Sequence, residues 1–194
     1  MPALPARSDD GLTPRLFALV LVVYLVGYGL FFHAKLPFSL SALGKVVPGA
    51  VPLDVRFHYP PAEVDTLLTT LGVEGRRAYE RILVADTLYP VLFALVQVLA
   101  LRLSARALRW SGVWRALVWV PVVPLLLDLL ENTLLWQALL SFPTRTSGGS
   151  VLLSGVTTAK HVTSLLALMT CGVVAAVAVV WGSRSARLSS TLES

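Results

Sequence analysis

Four long hydrophobic runs alternate with more polar segments along the chain. They cover residues 16–32, 82–101, 116–140 and 161–181, and about 20 apolar residues in a helix are enough to cross a bilayer core of about 30 Å. No small-x-small cleavage pattern follows the first run, so we expect it to be retained as an anchor. The pattern predicts an all-α integral membrane protein in which four transmembrane helices form a bundle, within a single membrane domain over residues 1–194.

The segment between the first two runs, residues 33–81, forms a long loop with its own helical signal. Four apolar residues recur at i, i+3, i+4 and i+7: Val64, Leu67, Leu68 and Leu71. Gly72 follows them, where a helix would end. We expect a short amphipathic helix over residues 61–71 and a second helical stretch that runs into the second span. Prolines in residues 37–61 predict irregular chain before it, apart from a turn near residues 39–43.

The composition supports the membrane class. Of 194 residues, 56% are hydrophobic and 14% are charged, and the mean hydropathy of +0.74 lies outside the range of soluble domains. The net charge is +5 and the isoelectric point is near 9.8. Basic residues near anionic lipid account for this charge, so it implies no nucleic-acid partner.

Basic residues also predict the orientation, because short cytoplasmic loops are enriched in Lys and Arg. The segment between spans two and three carries four of them and no acid: Arg102, Arg106, Arg109 and Arg115. The segment between spans three and four carries only Arg145. We therefore expect a plasma-membrane protein with both termini in the cytoplasm, a cytoplasmic tail at residues 183–194 and an outer loop at residues 33–81.

Acidic residues interrupt two of the predicted spans. Asp86 lies in the second, and Asp128 and Glu131 lie in the third. A charged side chain at the centre of a membrane helix costs about 2.5 to 3.5 kcal/mol, so such residues usually have a partner or a function. Asp128, Glu131 and Asn132 share one helix face. With the predicted orientation, these residues and Lys160 all fall in the outer half of the membrane, where we expect one common cavity.

The expected polar cluster, a site for a ligand, has seven members: Asp86, Tyr89, Asp128, Glu131, Asn132, Lys160 and His161. Lys160 is expected to pair with one carboxylate, and Arg81, next to Arg77 at the interface, to neutralise a second. Pro121 and Pro124 are expected to bend or open the third span before its acidic residues and so widen the cavity.

No cofactor is expected. His33 and His161 lie at similar predicted depth, so a haem or metal held by both is the alternative. The motifs of zinc proteases, serine hydrolases and P-loop proteins are missing, so the sequence assigns no catalytic residue. Cys171 has no second cysteine with which to pair. Small residues such as Gly172 in the fourth span indicate close helix packing, with a homo-oligomer as the alternative.

Two classes of function fit these observations. The first is a membrane pocket, open to the outer leaflet, that binds or transforms a small amphipathic or lipid-like molecule through its carboxylates, Lys160 and Tyr89. The second is a non-enzymatic membrane component, either a small proton or cation carrier or an assembly subunit, whose polar cluster is a structural clamp. At the level of architecture, four spans with buried acids resemble the sterol-isomerase-like four-helix membrane domain, a resemblance that assigns no residues. Membrane lipid is the expected partner in either case.

Overall fold

The computed structural model describes residues 12–144 and 147–192, and no strand occurs in these ranges. The helices are α1 (Leu12–Tyr28), α2 (Ser41–Val46), α3 (Ala62–Ala107), α4 (Val122–Ser141) and α5 (Ser147–Leu192). A π-helical turn, Gly29–His33, extends α1, and a 3-10 segment, Gly112–Trp119, precedes α4. The side chain of Arg145, which was used to predict the orientation, lies outside the described part, as do those of Arg7 near the N-terminus and of Arg184 and Arg187 in the predicted cytoplasmic tail.

Four helical stretches are long and apolar enough to span a membrane: Thr13–His33, Ala62–Ala107, Gly112–Ser141 and Gly148–Ser183. Many of their apolar side chains face outward, and Leu88 and Val179 are 67% and 68% exposed. Large continuous apolar surfaces of this kind are rare on soluble monomers. The prediction of four long apolar helices is confirmed.

The predicted amphipathic helix forms the first part of α3. The backbone leaves helical geometry at Gly72, where φ is 59° and ψ is −169°, a conformation that glycine adopts without the steric cost of a Cβ atom. All four predicted apolar residues before this break are buried: Val64, Leu67, Leu68 and Leu71. Residues 73–107 then form the long part of α3, as expected for a helix that continues into the second span.

Two of the predicted spans differ from the helices in the structure. The chain at residues 116–119 is 3-10 helix, and α4 begins only at Val122, directly after Pro121. The expected opening of the backbone before Asp128 is present as a change from 3-10 to α-helix at Pro121, and it is not a bend inside one α-helix. Proline fits the start of a helix, where an N–H has no helical partner to lose. The last helix begins at Ser147 rather than near residue 161.

The helices enclose two separate apolar cores. α1 packs on α3, while α3, α4 and α5 pack on one another. The larger core lies beside the loop segment and includes Leu53, Leu68 and Ile82. The smaller core lies near the C-terminal end of α3 and includes Leu101 and Cys171. We call these two ends of the structure the loop end and the arginine end.

Candidate functional site

A half-open cavity of about 300 Å³ lies between the two cores. One face of α3 lines it at i, i+3, i+4, i+7, i+8 and i+11: Asp86, Tyr89, Pro90, Phe93, Ala94 and Gln97. The start of α4, the middle of α5 and the end of α1 supply the other walls. The cavity therefore follows three turns of α3 and touches every long helix.

The polar groups of the cavity gather at its loop end. Asp86, Asp128, Lys160 and His161 line this end, together with Asp54 from the loop. Toward the arginine end the walls become mostly apolar and aromatic, with Phe93, Ala94 and Leu125, apart from Gln97 and Ser164. The cavity thus has a charged end and an apolar body.

Lys160 is the centre of the charged end. Its side chain is 10% exposed, and its ammonium group lies 2.9 Å from Oδ1 of Asp128 and pairs with the carboxylate of Glu131. The same nitrogen donates a hydrogen bond of 3.0 Å to the carbonyl oxygen of Asp54. An ammonium group has three hydrogens, so these three oxygen atoms satisfy it completely. The predicted pairing of Lys160 with a carboxylate is present, and two acids share the lysine.

Glu131 is the most enclosed acid of the cluster, with 0% exposure. Thr157 donates a hydrogen bond to its carboxylate, and the hydroxyl of Tyr59 lies 2.9 Å from that of Thr157. Burial raises the pKa of Tyr59 to about 12, so its hydroxyl keeps a proton at neutral pH. Tyr59 therefore donates to Thr157 and Thr157 to one oxygen of Glu131, while the other oxygen contacts the ammonium group of Lys160.

Asp86 differs from the other two helix acids because no cation pairs with it among the described residues. It is 7% exposed and lines the cavity, and the buried side-chain amide of Asn132 lies beside its carboxylate. Pro90, four residues further along α3, has no N–H to donate to the carbonyl of Asp86. Asp86 thus has an amide neighbour but no cation, and the usual helical donor to its carbonyl is missing.

A loop segment that the sequence did not single out completes the site. We call residues 53–59 the cap segment. The hydroxyl of Tyr79 donates to Oδ1 of Asp54 at 2.6 Å and accepts the N–H of Leu53 at 2.9 Å. Nδ1 of His58 lies 3.1 Å from the hydroxyl of Thr158 on α5. These contacts fasten the cap segment over the loop end of the cavity.

The remaining predicted site residues fall into two groups. Tyr89 lines the cavity and shares a hydrogen bond of 2.8 Å with Tyr24 of α1. His161 also lines the cavity, stacks on Phe57 and has a buried Nε2 with no hydrogen bond to the described residues. Arg77 and Arg81, by contrast, are exposed. In the part of the chain that is described, Lys160 and no arginine pairs with the carboxylates of Asp128 and Glu131.

The described residues contain no group of three or more His, Cys, Asp or Glu side chains arranged to hold a metal ion. His33 is exposed and contacts the ring of Tyr28. Cys171 faces Gln97 inside the smaller core, with its sulfur 3.6 Å from the amide oxygen. Cys171 and Ala167 face inward at a helix contact, whereas Gly172, for which close packing was expected, is exposed and has open space beside it.

Asp54, Tyr59 and Tyr79 are the site residues that sequence reasoning missed. They come from the loop and from the start of the long part of α3, and their partners are 25 to 106 residues away in the chain. Asp54 sits between Leu53 and Val55 in a proline-rich stretch. An acid flanked by apolar residues in a loop was the only available signal.

Comparisons of the chain with protein-family models, with curated proteins and with solved structures found no match. The geometry of the cavity therefore carries the functional interpretation by itself.

Proposed function

We propose that the chain is an integral membrane protein whose four long helices cross the bilayer as a bundle, and that its cavity binds a small amphipathic or lipid-like molecule. The observation that carries this proposal is the division of the cavity into a charged end and an apolar body. Ligand pockets are typically lined by apolar and aromatic side chains with a few polar groups that orient the ligand. The exposed apolar helix surfaces support a lipid environment as the source of such a ligand.

The length of the cavity suits one hydrocarbon chain. Asp86 and Gln97 are eleven positions apart on α3, which corresponds to about 16 Å along a helix. The polar group of the ligand would lie beside Asp86, and its chain would pass Phe93 and Leu125 toward Gln97. This orientation matches polar atoms with polar atoms and avoids burying unpaired groups.

The charge balance favours a ligand that donates hydrogen bonds or carries a positive charge. Four carboxyl groups lie around one lysine, and the ammonium of Lys160 is already satisfied by the three oxygen atoms described above. Asp86 has no cation of its own. A protonated amine would supply both the missing charge and the missing donors at Asp86.

Access to the cavity is proposed to be lateral. The cap segment covers the loop end, and the smaller core closes the arginine end. α1 packs on α3, so the sides between α1 and the α4–α5 pair are the route by which a molecule could enter from the bilayer. This agrees with a pocket that faces one leaflet.

The test uses matched single-chain amphiphiles. The protein in nanodiscs is titrated with dodecylamine and with dodecanoate, and the thermal unfolding midpoint is recorded for the wild type, Asp86→Asn, Ala94→Phe and Leu95→Phe. Ala94 is buried in the cavity wall, whereas its neighbour Leu95 is 39% exposed and serves as the control for added bulk. We expect the amine alone to stabilise the wild type and Leu95→Phe, with affinity lowered about tenfold or more in Asp86→Asn. Ala94→Phe should abolish the effect by filling the cavity.

Equal stabilisation by both amphiphiles in all four proteins would contradict the proposal, because it would report partition into lipid instead of binding. Loss of the effect in Leu95→Phe together with Ala94→Phe would point to general disturbance of α3. A second set of measurements with dodecanol, which donates a hydrogen bond but carries no charge, shows whether the ligand must be positively charged or need only donate a hydrogen bond.

One specific observation also favours the structural-clamp function for part of the cluster. Glu131 and Thr157 are fully buried, and Lys160 ties α5 to α4 and to the cap segment. We propose that Glu131 and Lys160 hold the helices together while Asp86 and Asp128 face the ligand. The two functions then belong to different members of one cluster.

A further inference from the structure

A second pocket, of about 630 Å³, lies at the arginine end. We call it the arginine pocket; its walls contain four arginines, two tryptophans and two small apolar residues: Arg102, Ala105, Arg106, Arg109, Trp110, Arg115, Val118 and Trp119. No acidic side chain belongs to this lining. The pocket shares no lining residue with the cavity. Arg106 is twenty positions from Asp86, at the charged end of the cavity, which is about 30 Å along the helix axis.

The local fold explains why the arginines converge. Arg102 and Arg106 are four residues apart, which places them on one side of the end of α3, and Arg109 follows just after the last turn. The chain then reverses through two residues with positive φ, Arg109 at 52° and Gly112 at 57°. The 3-10 segment folds back onto α3, and buried Val118 packs in the smaller core with Leu101. This reversal brings Arg115 and Trp119 to the same pocket.

The arrangement is not explained by folding alone. Like charges that share a pocket repel one another, and no described ion pair neutralises any of the four arginines. The left-handed backbone of Arg109 belongs to the end of α3, where the N–H groups of Arg109 and Trp110 donate to the carbonyl oxygens of Arg106 and Ala105. Interaction with the negative end of the α3 dipole accounts for Arg106 in the last turn but not for Arg115 on a separate segment. All four arginines are exposed, and an anion in the pocket would relieve their mutual repulsion and accept hydrogen bonds from their guanidinium groups.

We propose that the arginine pocket binds the phosphate of an anionic membrane phospholipid. Guanidinium groups recognise phosphate through paired hydrogen bonds, and basic pockets beside membrane helices bind acidic lipid headgroups. The 3-10 segment supports a lipid source over free phosphate, because Val113 is 79% exposed and Trp114 and Trp119 are 59% and 58% exposed. Exposed tryptophans of this kind are typical of the membrane–water interface. The headgroup would sit among the arginines and the acyl chains along the exposed apolar helices.

The experiment measures lipid preference by native mass spectrometry of the detergent-solubilised full chain in an equimolar mixture of phosphatidylglycerol and phosphatidylcholine. Two double variants each remove two of the four pocket charges. One combines Arg106→Gln with Arg115→Gln, and the other combines Arg102→Gln with Arg109→Gln. The control, Lys35→Gln with Lys45→Gln, removes the same charge from exposed positions at the loop end. Circular dichroism verifies that each variant keeps its helical content. A further arm adds inorganic phosphate at the lipid concentration.

We expect the wild type and the lysine control to prefer phosphatidylglycerol, and each arginine pair to lose about 25-fold of that preference, or about fivefold per arginine. An unchanged preference in the arginine variants would overturn the proposal. So would an equal loss in the lysine control, which would show only a general charge effect. Displacement of phosphatidylglycerol by equimolar inorganic phosphate would show that a soluble phosphate is the ligand and that the lipid assignment is wrong.

Discussion

Lys160 has three ammonium hydrogens and three oxygen partners, on Asp128, Glu131 and the backbone of Asp54. Because the lysine is satisfied, it cannot also neutralise Asp86, which lies on a different helix and faces the cavity. The same cluster therefore contains an acid whose charge is internally compensated and one whose charge is not. Substitutions at these two positions should have different consequences.

The first prediction compares Asp86→Asn with Glu131→Gln. Asp86→Asn should weaken amphiphile binding about tenfold or more and leave stability equal or higher, because a neutral amide replaces a buried carboxylate without a cation. Glu131→Gln should lower the free energy of unfolding by up to about 3 kcal/mol, since it removes one partner of a buried ion pair. Chemical denaturation and ligand titration of the same samples distinguish the two effects.

A double-mutant cycle supplies the control for this prediction. Lys160→Met added to Glu131→Gln should recover part of the lost stability if the two residues form a clamp. If Asp86→Asn destabilised the protein as much as Glu131→Gln did, the division of roles within the cluster would be refuted.

The second prediction concerns the cap segment. Tyr79→Phe removes one hydroxyl and leaves both the carboxylate of Asp54 and the N–H of Leu53 without that partner. We expect a loss of about 1 to 3 kcal/mol in the free energy of unfolding. Tyr28→Phe is the matched control at a position that is 38% exposed. Equal stability of the two variants would mean that the cap segment is not fastened through Tyr79.

For single residues, the sequence identified the charged site residues on the helices but not the polar site residues on the loop. Asp86, Asp128, Glu131 and Lys160 stood out because charge is costly inside apolar helices, and the structure brings them together. Asp54 and Tyr59 have no periodic pattern around them. Their places depend on contacts with α3 and α5 that no local spacing encodes.

Among the helical elements, the third prediction tests the first part of α3. Replacing Leu67 and Leu68 together by Asn places two amides where buried leucines pack, at a cost of about 2 to 5 kcal/mol for each leucine lost. Limited proteolysis near Gly72 should accelerate by more than about tenfold. Replacing the exposed Thr69 and Thr70 by Asn is the control. Unchanged cleavage in the leucine variant would show that this helix is not packed on the rest of the protein.

The presence of the helices was predictable from the hydrophobic pattern of the sequence, whereas the residues at which α4 and α5 begin were not. α5 begins before the apolar run because hydroxyls of Ser154, Thr157 and Thr158 find oxygen acceptors inside the protein. Polar residues with internal partners lower the hydropathy of a segment without ending its helix. The start of α4 at Val122 follows from the 3-10 segment, which folds back on α3 through tertiary contacts.

For the whole molecule, the fourth prediction concerns topology. The four arginines at the arginine end predict that this end is cytoplasmic. In a Cys171→Ala background, Ser111→Cys should be protected from a membrane-impermeant maleimide in intact cells, while Thr144→Cys should be labelled. Both positions are exposed in the structure, and permeabilised cells should show labelling at both. Labelling of Ser111→Cys together with protection of Thr144→Cys in intact cells would reverse the topology.

The cavity itself could not be predicted from the sequence. Orientation and helical spacing indicated which residues would share one depth, but a cavity also depends on the gap between two apolar cores. Its apolar body, formed by Phe93, Ala94 and Leu125, consists of residues that look like ordinary lipid-facing or core positions. Only the packing of the helices against one another shows which of these residues line a cavity.

The most direct test of the ligand proposal is to locate a bound amphiphile. An alkylamine with a photoreactive diazirine in its chain is added to membranes that contain the protein, and cross-linked peptides are mapped by mass spectrometry. We predict cross-links at Phe93 and Leu125, lost in Ala94→Phe and retained in Leu95→Phe. Cross-links confined to exposed positions such as Leu88 and Val179, with the same yield in both variants, would contradict a ligand-binding cavity.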